Sequence, residues 1–218
     1  MDKTNYTFET FMITPPNRLA RLAADEICRS PGKTYNPLYI YGAPGVGKTH
    51  LLCAIANSFS GNGAKVLCVS AGEFAEEFVE AIKNGEVAEF RRKYHSVDVL
   101  LMDNFQYMVG KSATQEELLS ILDGLMRQGT QIVIAADSSP GEMPKLSDTL
   151  RDKLLRGLCL ECGMPDMEER RAMVKQMLQK HGIHWPEEAC RYVALKCGAS
   201  ISQIEGEINK ILVCKTWL

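Results

Sequence analysis

"NPLYIYGAPGVGKTHLL", residues 36–52, joins a short apolar run to a helical pattern through a glycine-rich turn. The turn satisfies G-x-x-x-x-G-K-[ST], and it lies between a strand pattern and a helix pattern, which is the context that this motif requires. Its glycines let backbone N–H groups surround a phosphate chain, and the N-terminus of the following helix favours negative charge. The stretch therefore predicts a phosphate-binding loop. Its candidate nucleotide contacts are Gly42, Pro44, Gly45, Val46, Gly47, Lys48, Thr49 and His50.

A magnesium ion usually accompanies the nucleotide in such a loop. Lys48 is predicted to reach the β- and γ-phosphates, and the hydroxyl of Thr49 to hold Mg²⁺. The second Mg²⁺ anchor comes from an acid at the end of a neighbouring buried strand, and "VDVLLMD", residues 97–103, ends on Asp103. A capping role for Asp103 after an ordinary core strand is the alternative. The next residue is Asn104, whose amide cannot take a proton from attacking water.

Strand patterns alternate with helical patterns along most of the chain, which predicts an α/β fold with a doubly wound parallel sheet. The five apolar runs are residues 37–41, 65–70, 97–102, 131–137 and 157–161. Three consecutive helical patterns follow "GMPD", residues 163–166. We therefore predict a nucleotide-binding α/β domain over residues 1–163 and a helical domain over residues 164–218.

Local spacing also predicts the faces and starts of three helices. The helix before the first strand places Leu19, Leu22, Ala23 and Ile27 on one face. Ser70 and Glu73 have capping-box spacing ahead of Phe74, Phe78 and Ile82. Thr114 and Glu117 have the same spacing before a later helix.

Composition places the chain among soluble globular proteins, with 45% hydrophobic and 24% charged residues over 218 positions. A formal net charge of −2 gives no overall attraction to nucleic acid, so any DNA contact requires a local patch. No membrane span or signal peptide pattern is visible, which predicts a cytoplasmic protein.

Of the eight cysteines, Cys159 and Cys162 form the one close pair. A four-ligand zinc site needs a second pair, so we expect core cysteines and no zinc.

With these residues in place, the chain resembles the AAA+ ATPase domain of bacterial replication initiators of the DnaA family. The similarity runs from about Tyr6 to Leu212 and includes the phosphate loop, "EFAEEFVEAIKNGEVAEFRRKYHSVDVLLMDNFQYMVGKSATQEE", "DTLRDKLLRGL" and "ISQIEGEINKIL". The long middle segment is similar to a helical insertion specific to initiators. The resemblance implies a P-loop AAA+ sheet in the order 5-1-4-3-2, a three-helix lid over adenine, and ATP-dependent filament assembly on DNA.

The resemblance also implies roles for individual residues. Ile13 and Asn17 fall where the family approaches adenine, and Asp137 falls at the position called sensor 1. Val79 matches an apolar residue that contacts single-stranded DNA, and Lys111 lies in the loop that grips the DNA backbone. Without the resemblance, Val79 is a core-facing residue and Lys111 a solvated surface lysine.

Three departures from the family concern hydrolysis. Asn104 replaces a second acid, Lys153 stands at the arginine finger that acts in trans, and Ser202 stands at the sensor 2 arginine. A lysine supplies charge but not a two-pronged contact, and a serine supplies no charge. Together these three changes predict nucleotide binding with slow turnover. Ala113 and Thr149 replace basic residues in the DNA-contact loop and before the finger.

Three functions remain open from the sequence. The first is an ATP- or ADP-binding, Mg²⁺-dependent module that assembles with itself or with full-length DnaA, with weak, salt-dependent contact to single-stranded DNA. The second is a non-catalytic regulator of DnaA, and the third is a helicase-loader or transposition-helper ATPase. The helix-turn-helix domain that reads double-stranded origin boxes is not in the sequence, so we expect either an excised fragment or a stand-alone protein that cannot recognise such boxes.

Overall fold

The computed structural model of the protein describes residues 5–197 and 200–215. Five parallel strands form one sheet in the order β2-β3-β4-β1-β5, which confirms the predicted order 5-1-4-3-2. The strands are β1 (Leu38–Tyr41), β2 (Val66–Ser70), β3 (Val99–Asp103), β4 (Gln131–Ala136) and β5 (Leu158–Glu161). Leu38 of β1 is paired with Val133 on one side and with Leu158 on the other. The first strand, which feeds the phosphate loop, is therefore internal.

Helices cover both faces of the sheet and then continue beyond it. The helices that accompany the strands are α1 (Arg18–Arg29), α2 (Lys48–Gly61), α3 (Ala71–Asn84), α4 (Val87–His95), α5 (Ser112–Gln128) and α6 (Asp148–Leu155). Three more follow β5, namely α7 (Met167–Lys180), α8 (Glu187–Lys196) and α9 (Ile201–Lys215). We call α7, α8 and α9 the three-helix unit.

The buried apolar residues form three clusters. One lies under α3 to α6 and contains Tyr39, and the other lies under α1 and α2 and contains Leu38 and Phe11. Neighbouring side chains of β1 therefore point to opposite faces of the sheet, as in any β-strand. The third cluster belongs to the three-helix unit, but it also includes Met12 from the N-terminal segment. The three-helix unit therefore has its own core.

The buried face of α1 differs from the prediction. Leu19 and Leu22 are 66% and 54% exposed. The residues that α1 buries are Ala20, Ala23, Ala24 and Ile27. Small side chains let the helix approach the sheet and α2 closely, and this close packing outweighs the gain from burying two leucines. The prediction was correct for Ala23 and Ile27 and wrong for both leucines.

The start of α3 was predicted correctly. The Glu73 N–H donates to Ser70 Oγ at 3.1 Å, and the Ser70 N–H donates to Glu73 Oε2 at 2.7 Å. Phe74 and Phe78 are buried as expected, while Ile82 is 53% exposed. The apolar face of α3 is therefore narrower than the sequence pattern indicates.

The predicted cap of α5 is wrong. The helix begins at Ser112, so Thr114 lies inside its first turn and is buried. Glu117 does not cap the helix, because both of its carboxylate oxygens accept hydrogen bonds from Arg91 of α4 at 2.7 Å. A bidentate arginine contact is stronger than a neutral cap, and it fixes α4 against α5.

Cys159 and Cys162 pack into different cores. Cys159 contacts the cluster that contains Tyr39, and Cys162 belongs to the cluster under α1 and α2. Burial raises the pKa of both thiols, that of Cys162 to about 11, so both are protonated at neutral pH.

Among residues 5–197 and 200–215, no group of three or more His, Cys, Asp or Glu side chains is arranged to hold a metal ion. In the same part of the chain, no helix has the length and apolar character to cross a bilayer.

Candidate nucleotide-binding site

The phosphate loop connects β1 to α2 and depends on glycine at two positions. Gly42 has φ of 153°, and a Cβ atom there would lie 2.1 Å from the Cys162 carbonyl oxygen. Gly45 has φ of 81°, and a Cβ atom there would lie 2.7 Å from Ser200 Cβ. Val46 is fully buried beneath the loop. The loop is therefore packed between β5 and the start of α9, and its backbone is the surface that remains for a ligand.

Lys48 is the first residue of α2 and is only 8% exposed. Its Nζ donates to the carbonyl oxygens of Gly42 at 2.7 Å and Ala43 at 3.0 Å, and it forms an ion pair with Asp137 Oδ1 at 3.1 Å. All three ammonium protons thus point at oxygen atoms. A phosphate that binds Lys48 must replace at least one of these acceptors.

Thr49 and Asp103, which are 54 positions apart in sequence, are in contact. The Thr49 hydroxyl donates to Asp103 Oδ2 at 2.7 Å, and the other carboxylate oxygen accepts the Asn104 N–H at 2.8 Å. A hydroxyl and a carboxylate at this separation are the oxygen ligands that Mg²⁺ prefers. The residues present therefore fit the predicted magnesium site.

Asn104 begins the short turn between β3 and α5. Its backbone is left-handed, with φ of 55° and ψ of 44°, and its side chain is exposed. Asparagine and aspartate both tolerate this conformation, so the turn itself does not require the amide. The carboxamide gives the site no group that takes a proton from water.

Gln106 is a site residue that the sequence analysis missed. Its Nε2 donates to Asp137 Oδ2 at 2.8 Å, so Asp137 is held between Gln106 and Lys48. Its Oε1 is buried and has no hydrogen-bond partner among the described residues. A short 3₁₀ turn, Phe105–Met108, brings this side chain back towards β4. A polar residue three positions after the strand-ending Asp103 is the signal that would have identified it.

The residues predicted near adenine lie in the turn before α1. Ile13 is 58% exposed. Asn17 is buried, its Oδ1 accepts the Thr14 N–H at 2.8 Å, and its Nδ2 donates to the Met12 carbonyl oxygen at 2.9 Å. The Asn17 side chain therefore stabilises this turn, and Ile13 is the side chain that the turn exposes to solvent.

His50 is held by the N-terminal segment. Its ring stacks on Tyr6 with centroids 4.6 Å apart, and its Nε2 lies 3.1 Å from the Thr7 carbonyl oxygen. Burial lowers the pKa of His50, which favours the neutral ring. The imidazole therefore stabilises the segment that crosses the first turn of α2.

The remaining predicted residues lie on α3, α6 and α9 and at the start of α5. Lys153 forms an ion pair with Asp123 of α5. Ser202 lies beside Gly45, since its Oγ is 3.7 Å from the position that a Cβ atom on that glycine would take.

The residues predicted to contact DNA are exposed. Val79 is 45% exposed, which contradicts the core-facing alternative, and Lys111 is exposed at the start of α5. Ala113 and Thr149 are also exposed.

The three-helix unit reaches the loop through α9, since the Ile201 N–H donates to the Gly45 carbonyl oxygen at 2.9 Å. Two cavities border the start of α2, and the smaller of them lies beside this contact. The small cavity, about 210 Å³, includes Gly45, His50, Ser202 and Glu205 in its lining. The large cavity, about 540 Å³, includes Ser70, Asp103 and Asn104. Among the described lining residues, Thr49 alone is common to both.

Known proteins are similar to this chain in sequence and architecture. The family described as the bacterial DnaA ATPase domain matches residues 2–161. The chromosomal replication initiator protein DnaA of Symbiobacterium thermophilum is 40% identical over 209 residues, which are 95% of this chain and 46% of that protein. The structure of AMPPCP-bound DnaA from Aquifex aeolicus is 36% identical, with a TM-score of 0.91 over 95% of this chain and 65% of that one. A replication initiator DnaA bound to AMPPCP and single-stranded DNA is also 36% identical, with a TM-score of 0.90 over 94% of this chain and 64% of that one.

The chain spans about half the length of the curated relatives that it matches. Within that span, the sequence identity is 40% to the Symbiobacterium thermophilum protein, and the TM-score is 0.91 to the Aquifex aeolicus structure. The chain belongs to the bacterial DnaA ATPase-domain family.

Proposed function

We propose that the chain binds Mg·ATP or Mg·ADP and hydrolyses ATP slowly. The observation that carries this proposal is the Thr49–Asp103 contact of 2.7 Å, directly beside Lys48 of the phosphate loop. These are the lysine, hydroxyl and carboxylate that a P-loop nucleotide site needs. The AMPPCP complexes of related DnaA proteins support the same ligand class.

Each residue of the site has a separate role in binding Mg·ATP or Mg·ADP. Lys48 exchanges its contacts with Asp137 and the loop carbonyls for the β- and γ-phosphates. Thr49 and Asp103 hold Mg²⁺, which when bound neutralises charge that develops on the phosphates. Asp137, oriented by Gln106, lies next to Lys48 and therefore faces the γ-phosphate end.

Slow turnover follows from what these residues lack. Asn104 takes no proton, Ser202 adds no charge, and Lys153 is already paired with Asp123 in its own chain. A positive finger supplied by a neighbouring subunit contributes about 10³ to 10⁵ in rate, so its loss alone separates a nucleotide sensor from a fast ATPase.

Calorimetric titration with Mg·ATP tests the site. We expect micromolar or tighter binding to the unaltered protein and a large loss of affinity in Lys48→Ala. Lys33→Ala is the matched control, since Lys33 is an exposed lysine in the loop before β1. Unchanged affinity in Lys48→Ala would show that the nucleotide site is elsewhere.

We also propose that the nucleotide-bound chain assembles with itself or with full-length DnaA and contacts single-stranded DNA weakly. The exposed Val79 supports such a contact, but Glu76 and Glu80 are exposed on the same helix and repel phosphates. Anisotropy with labelled oligo-dT is expected to show binding at low salt that Lys111→Ala weakens and added salt abolishes. A flat titration at low salt rejects the DNA contact.

Regulation of DnaA without catalysis is the second candidate function. Asn104 favours it, because the loss of a water-activating acid weakens this chain's own hydrolysis. The test is to add the protein to full-length DnaA and measure ATP turnover by the partner. Unchanged turnover at saturating concentration excludes this function.

A further inference from the structure

The two cavities meet at Thr49, a predicted Mg²⁺ ligand, and Asp103 lines only the large one of the two. We therefore expect the metal on the large-cavity side of Thr49. The small cavity is lined by Gly45 and Lys48 of the phosphate loop and by His50. We expect it to take the phosphate chain along the loop and the sugar at its His50 end.

Glu205 brings a carboxyl group into the small cavity. It lies on α9, four residues after Ile201, whose N–H is fixed to the Gly45 carbonyl oxygen at 2.9 Å. This contact holds the first turns of α9 against the loop and limits how far Glu205 moves. The side chain is half-buried, and it makes no hydrogen bond or ion pair within residues 5–197 and 200–215.

The groups around Glu205 do not neutralise it. The ammonium group of Lys48 is directed at Gly42, Ala43 and Asp137, and burial lowers the pKa of His50 so that its ring is neutral. Burial also raises the pKa of the Glu205 carboxyl. An acid beside a phosphate-binding loop opposes an anionic ligand unless that ligand also offers hydrogen-bond donors.

We propose that Glu205 accepts hydrogen bonds from the ribose 2′- and 3′-hydroxyls of the bound nucleotide and so selects ribonucleotides. These hydroxyls are the donors that the sugar part of a nucleotide offers, and acidic side chains bind them in other nucleotide folds. The magnesium ion is not the partner of Glu205, since Asp103, the carboxylate expected to hold it, lines the large cavity and not the small one. This inference rests on the proposed nucleotide binding.

The test compares Mg·ATP with Mg·2′,3′-dideoxy-ATP by calorimetric titration. The unaltered protein is expected to bind ATP about tenfold to a hundredfold more tightly, the effect of hydrogen bonds to a charged acceptor. Glu205→Ala is expected to lose this preference by weakening ATP alone, and Glu205→Gln to keep part of it. Glu207→Ala is the matched control, because Glu207 is on the same helix but pairs with Lys210.

The possible titration results lead to different conclusions about Glu205 and about the nucleotide site. Equal affinity of the unaltered protein for both nucleotides overturns the ribose contact and leaves the nucleotide site intact. Equal weakening of both nucleotides in Glu205→Ala assigns the residue to the packing of α9 and also overturns it. If neither nucleotide binds the unaltered protein, the proposed function and this inference both fail. The first comparison needs no variant, so it holds even if Glu205→Ala does not fold.

Discussion

Replacing Asn104 with aspartate is expected to increase ATP hydrolysis about a hundredfold. A positioned general base contributes about 10² to 10⁴ in rate. We place the gain at the lower end, because Lys153 remains paired with Asp123 and Ser202 remains uncharged. The fold should be unaffected. The side chain is exposed, aspartate tolerates the left-handed backbone, and such surface changes alter the free energy of unfolding by less than about 0.5 kcal/mol.

Single-turnover hydrolysis with protein in excess over labelled ATP measures this change without interference from product release. Asn104→Asp combined with Lys48→Ala should lose the gain, which ties the activity to this site. Asn62→Asp, an exposed asparagine at the end of α2, is the control for added charge. If Asn104→Asp folds, binds ATP and hydrolyses it no faster than the unaltered protein, Asn104 does not account for slow turnover.

Three further predictions concern the loop and its supports. Gly42→Ala should lower the free energy of unfolding by at least about 2 kcal/mol in scanning calorimetry, because its Cβ would collide with the Cys162 carbonyl oxygen at a positive φ. Gln106→Ala should reduce the single-turnover rate but not Mg·ADP affinity, because it releases Asp137 at the γ-phosphate end. His50 has a lowered pKa when folded, so its contribution to stability is complete above the unfolded value of about 6.5 and is lost as pH falls below it. Urea unfolding at pH 7.5 and 5 should show this loss, and His50→Gln should reduce it.

Local signals predicted the phosphate loop and the five strands. The loop is specified by glycines at fixed spacing, and Asp103 by its position at the end of a buried run, so neither depends on distant residues. The juxtaposition of Thr49 and Asp103 follows once β1 and β3 are assigned to the same parallel sheet, since parallel strands end at one edge.

The sequence predictions are wrong where contacts with distant parts of the chain determine burial and pairing. Leu19 and Leu22 fit a helical apolar face, but the alanines of α1 allow a closer approach. Glu117 has capping spacing, yet Arg91 from another helix binds it. The ion pair of Lys153 with Asp123 joins positions 30 residues apart, and no spacing rule links them.

The N-terminal segment crosses from one core to another within a single peptide unit. Phe11 is buried with α1 and α2, and the next residue, Met12, is buried in the core of the three-helix unit. Consecutive Cα atoms are about 3.8 Å apart, so the two bodies cannot separate at this point while both side chains stay buried. The peptide unit between Phe11 and Met12 therefore couples the position of the three-helix unit to that of the sheet. Ile13, the next residue, is 58% exposed, so a displacement of either body would also move the side chain that is predicted to approach adenine.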